Sequence, residues 1–238
     1  MTTVSPTLDA VERVRAADQA IGRTRRTVED LRATVSSAIR VLEDAELDSA
    51  KARLGNRGGF YLEAAGEHMV RLQARCQTLP KLSDELDGHL DRAVAALKEA
   101  ATLLGEAETS NPDVRAELAQ LRPRVAVLGE MVELARPMAQ MAAQHVAGAH
   151  AVSREVTPPA LLESGSLELS IRSAGEKLGR ADEDIVLLEG VVDRAAATAH
   201  QSAGIAAEIS DDARRRMSQQ RHDPGGGQAA PAAAGPAR

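Results

Sequence analysis

The sequence predicts an all-α protein, an elongated antiparallel four-helix bundle built from two long heptad-patterned helical hairpins. Three observations predict it. Apolar residues recur in alternating steps of three and four over most of the 238 residues, which places them along one stripe of a helix. Aromatic residues are 1% of the chain, with no Trp, one Phe and one Tyr, so a core has to be made of Ala, Val, Leu and Ile, which suits closely approaching helices better than a sheet interior. The glycine-rich stretch from Leu54 to Phe60 then separates two runs that mirror each other, as a hairpin turn would.

The first run opens at Ser5-Pro6, an N-cap followed by proline at the first helical position, where the missing N–H is no loss. Val14, Ile21, Val28, Val35 and Leu42 recur every seven residues, and Ala10, Ala17, Thr24, Leu31, Ala38, Ala45 and Ala52 fill the complementary positions. Gly55, Gly58 and Gly59 are expected to end the helix by adopting the left-handed conformation. After the turn the repeat resumes with Leu62, Met69, Cys76, Ser83, Leu90, Leu97 and Leu104, complemented by Ala65, Leu72, Leu79, Leu86, Ala93, Ala100 and Ala107. Pro80 falls inside it, and predicts a kink over 78–83 or a short break re-capped by Ser83.

Folding the two runs antiparallel about Arg57 pairs residues whose numbers add to 114. Val28 then faces Leu86, Ala38 faces Cys76 and Leu42 faces Leu72. Large residues often face small ones, which fills space without voids, and Arg25 is expected near Asp87 on the flank.

Asn111-Pro112-Asp113 repeats the helix-start signature. The third run, from Val114 through Leu121, Leu128, Ala135 and Ala142 to Ala149, contains Pro123 and Pro137 at the heptad position opposite its seam, which predicts curvature rather than disruption. Residues 151–166, with Thr157-Pro158-Pro159 and Gly165, read as a loop with a helical turn at Ala160 to Glu163. A fourth run from Leu167 through Ile185 to Ala213 completes a second hairpin, with Arg136 expected near Asp182. The domain reading is a first hairpin over 1–109 with its turn at 54–60, a second over 110–221, and a Gly/Pro/Ala-rich tail over 222–238 too poor in apolar surface to order itself. The competing arrangement keeps the two hairpins in series, dimerising through their seams.

The chemistry is read mostly from what is missing. The net charge of −6 provides no general field for nucleic acid, and stacking aromatics are absent, so no nucleic-acid partner is expected. No apolar run approaches the roughly 20 residues of a membrane span, and the first fifteen residues lack a basic segment followed by an apolar one. The expected location is cytoplasmic. Cys76 is the only cysteine, which excludes an intramolecular disulfide. No Glu-x-x-His occurs and the seams carry no acid between Ala10 and Ala213, so neither a bundle metal site nor a cofactor is expected, and no constellation supports catalysis. Arg214-Arg215-Arg216 with Arg221 reads as a cationic helix end favoured by the helix dipole.

What remains is contact chemistry. Phe60 and Tyr61 are adjacent at the hairpin tip, where exposed aromatics anchor partners or cap the end of a bundle. Met131, Met138 and Met141, on one side of the third helix, form an adaptable partner surface or fill space between hairpins. The expected function is therefore a non-catalytic helical coiled-coil scaffold or protein–protein interaction protein, with a protein partner and a possible homo-oligomer. A second expectation, from another class, is an exported helical-hairpin substrate or accessory component of a specialised bacterial secretion system. The Trp-x-Gly turn and the Tyr-x-x-x-Asp/Glu signal of such substrates are missing, since Tyr61 is followed four residues on by Ala65.

Overall fold

The computed structural model describes residues 6–55, 57–110, 114–155 and 164–222. They form five helices and, among the described residues, no strand: α1 (Pro6–Leu54), α2 (Gly58–Cys76), α3 (Leu79–Ser110), α4 (Arg115–Glu155) and α5 (Ser164–His222). Helix α1 packs against α2, α3 and α5, and α4 packs against α3 and α5. Their buried side chains join in one apolar core with members from every helix.

Helix α1 begins at Pro6, has Asp9 in its first turn and Lys51 and Arg53 in its last, charges of the sign that each end of a helix dipole favours. Its stripe residues from Ala10 to Ala45 are all buried, and only Ala52, beside the turn, is partly exposed. Across from them the stripe residues from Ala65 to Ala107 on α2 and α3 are buried, with Leu62 partly so. The stripe from Val114, just before α4, to Ala149 and that of α5 from Leu167 to Ile209 are buried as well, and Ala213 is partly exposed.

The turn is tighter than expected and uses its glycines differently. Gly58 and Gly59 already belong to α2, and no described glycine has a positive φ. Arg57 carries the non-helical backbone instead, at φ −118° and ψ 34°. Its carbonyl accepts from the N–H of Phe60 at 3.1 Å and of Tyr61 at 3.4 Å, starting the new helix. Gly58 is required for closeness, because a Cβ there would lie 2.9 Å from the Ala52 carbonyl oxygen.

Two more expectations are corrected. The interruption near Pro80 falls before the proline, at Gln77 and Thr78, and α3 restarts at Leu79. Pro80 thereby occupies the first turn, where no N–H is needed. Ser83 caps nothing: it is buried, and its Oγ donates to the Leu79 carbonyl at 3.1 Å. Of the loop expected over 151–166, residues 151–155 and 164–166 are helical, since α4 runs to Glu155 and α5 starts at Ser164. The helical turn at 160–163, the cap at 111–113 and the tail from 223 lie outside the described residues. Helix α4 runs unbroken through Pro123 and Pro137. Both are exposed, as are Ala119 and Glu133 one turn earlier, whose carbonyls lose the donor that proline lacks and face water instead.

Polar side chains fix how the helices run past each other. Arg13 meets Glu99 at 2.7 Å and His68 meets Asp48 at 3.5 Å, pairs two either side of the expected sum of 114. Between the halves of the chain, Arg25 reaches Asp193 at 2.8 Å, Arg53 reaches Glu168 at 3.1 Å and Arg32 pairs with Glu189, so α1 and α5 run antiparallel. Arg136 reaches Asp91 at 2.7 Å and Arg122 reaches Glu108 at 3.3 Å, which makes α3 and α4 antiparallel too. These contacts correct both flank pairs expected from single hairpins. Arg25 turns to α5 rather than to Asp87, and Arg136 turns to α3 rather than to Asp182. A flank residue sits between two neighbouring helices, and the second neighbour provides the carboxylate.

Candidate partner-binding surfaces

At the α1–α2 tip the helices end on large apolar groups that no described residue covers. Leu54 is 89% exposed and Phe60 66%. Phe60 packs edge-on against Tyr61, with ring centroids 5.5 Å apart at 76°, a favourable aromatic geometry. Tyr61 is partly buried, and the Lys51 ammonium lies 5.5 Å from its ring centroid, within cation–π range. Lys51 also donates to Asp48 Oδ1 at 2.8 Å. That hydrogen bond is the main reason the Asp48 carboxyl is held below its ordinary pKa and the Lys51 ammonium above its own. The tip is thus a short apolar ledge held by a chain running from Phe60 through Tyr61 and Lys51 to Asp48 and His68. Leu54 was the member hidden in the sequence, where it reads as the first turn residue; its place off the buried stripe was the available signal.

The methionines of α4 divide. Met131 and Met138 are partly buried and pack onto the core, as filling between helices, whereas Met141 is 45% exposed. With Met141 goes a recurrence that attention to methionine alone misses: Val127 and Leu134 lie fourteen and seven residues before it, and are 42% and 51% exposed. Helix α5 adds Leu187, 60% exposed.

The remaining candidates are placed as follows. Cys76 is fully buried, and burial pushes its thiol up to about 11, so the thiolate that would react is suppressed. His89 Nδ1 lies 2.8 Å from Arg92 Nη2, and burial first, then the cations Arg92 and Arg23, hold its pKa below the ordinary histidine value. His145 Nδ1 lies 2.8 Å from Asp184 Oδ2 across α4 and α5. Arg214, Arg215 and Arg216 are exposed, with Arg215 3.5 Å from Asp212. Among the described residues no group of three or more His, Cys, Asp or Glu is arranged to hold a metal ion, and no helix is long and apolar enough to cross a membrane. Neither protein-family models, nor curated proteins, nor solved structures give a match to this chain.

Proposed function

We propose that this protein is a non-catalytic scaffold, an elongated antiparallel four-helix bundle of two heptad hairpins that offers its α1–α2 tip to a protein partner. The observation that carries the reading is the exposure of Leu54 and Phe60 together at the end of one hairpin. An apolar pair standing on helix ends is already ordered, so a partner covering it loses little conformational freedom on binding, and aromatic anchors of this kind concentrate binding energy. Helix length supports a spacing role. The 49 residues of α1 span about 73 Å at about 1.5 Å per residue.

The test is crosslinking with mass spectrometry in the native cell, comparing wild type with Phe60→Ala/Tyr61→Ala. Loss of partner crosslinks near 51–61, with helicity unchanged, is the expected result. Unchanged partner crosslinks would show that the tip serves only to close the hairpin.

A further inference from the structure

We infer that the outer face of α4 is a self-association surface, on which a second copy of this chain packs side by side and in the same direction. The surface lies along the middle of the rod, away from the tip, and the inference does not depend on the tip reading. Its centre is the exposed stripe Val127, Leu134 and Met141, spaced by seven. Apolar side chains at that spacing make one of the two lines of a helix–helix seam; here no described helix covers them.

The edges of the stripe indicate what covers it. Arg124 donates to Gln201 at 3.2 Å and His145 lies 2.8 Å from Asp184, which together set the level of α5 beside α4 to within one turn. Moving by whole heptads from the Arg124–Gln201 pair puts Arg194 within a turn of Met131, Leu187 within a turn of Met138, and Arg180, one turn before Asp184, within a turn of His145. One edge of the stripe is therefore Arg194, Leu187 and Arg180, all exposed. The other edge, on the side of α4 away from α5, is Glu130, Pro137 and Gln144, also exposed. Level by level, Glu130 lies across from Arg194, Pro137 from Leu187 and Gln144 from Arg180.

A two-fold axis parallel to the rod keeps every residue at its own level and exchanges the two edges. It sets Leu134 against Leu134, and brings Glu130 to the other copy's Arg194, Pro137 to its Leu187 and Gln144 to its Arg180. Acid meets base, apolar meets apolar, and amide meets guanidinium, as an isologous interface requires. A two-fold axis across the rod would keep the edges on their own sides, bring α5 against α5 and set Arg180 against Arg194, like charge on like. Complementarity therefore selects the parallel copy. Among the described residues Glu130 and Arg180 form no ion pair, and Arg194 donates to its own helix at the Gly190 carbonyl, so the charged edges are available.

The chain provides its own test, because the buried Cys76 leaves variants with one added cysteine clean reporters. Val127→Cys, Leu134→Cys and Met141→Cys should each oxidise to a disulfide-linked dimer. Crosslinking at Leu134→Cys without Met141→Cys would indicate the antiparallel dimer and overturn the proposal. Sedimentation should give a dimer at about 0.1 mM, and a monomer there would overturn it as well. Leu134→Glu should weaken association at least about tenfold, with helicity retained because the site is at the surface. Glu130→Arg should weaken it, and adding Arg194→Glu should restore it; failure of the double exchange to restore would reject the edge pairing.

Discussion

At Gly58 a single added carbon has little room. Its Cβ would sit 2.9 Å from the Ala52 carbonyl oxygen, a backbone atom across the hairpin, while a Cβ on Gly59 would meet nothing within 4 Å. Gly58→Ala must push α2 away from the end of α1, and should destabilise the protein by about 1–3 kcal/mol. Gly59→Ala, already helical, should be neutral or stabilising by up to about 1 kcal/mol, since alanine has the better helix propensity. Urea unfolding of the two variants checks the contrast. The glycines marked the turn correctly in the sequence, but their conformation was not legible there. Close approach and left-handed backbone both call for glycine, and only the path of α1 past Gly58 separates them.

Between elements, the buried stripes were legible and the flanking charges were not. A stripe residue such as Leu31 or Leu86 faces the interior whichever helix arrives, so periodicity alone locates it. The partner of Arg25 or Arg136 depends on which second helix stands beside it, and that is a fact of assembly. The same holds for the candidate surfaces. Phe60 was legible by rarity, whereas Leu187 gains meaning only from the Arg124–Gln201 register. Asp87 shows the energetic side. Burial first, then the neighbouring Asp91 and Asp84, raise its pKa, against the opposing pull of Arg136. A carboxyl with a raised folded pKa contributes its stability fully below the ordinary carboxylate range and loses it as pH rises through the raised value. At neutral pH its charge therefore opposes folding. Asp87→Asn should raise the melting temperature at pH 7 by an amount worth less than about 1 kcal/mol, because the exposed site is screened. The gain should vanish below the ordinary Asp pKa, and pH-dependent melting of the two proteins reads it out.

At the scale of the molecule, everything proposed rests on the two hairpins lying against each other along their length. Helix α1 is then the shared wall, bounded by α2 and α3 on one side and by α5 on the other, and the tip and the α4 stripe become separate sites on one rod. The Arg25–Asp193 pair, 2.8 Å apart, reports on this arrangement most directly. Spin labels on Arg25→Cys and Asp193→Cys, with excess unlabelled protein to isolate distances within one chain, should give one distance below about 25 Å, for helix axes about 10 Å apart. A distribution centred beyond about 40 Å, as hairpins in series would produce from helices rising about 1.5 Å per residue, would contradict the shared core and the scaffold built on it.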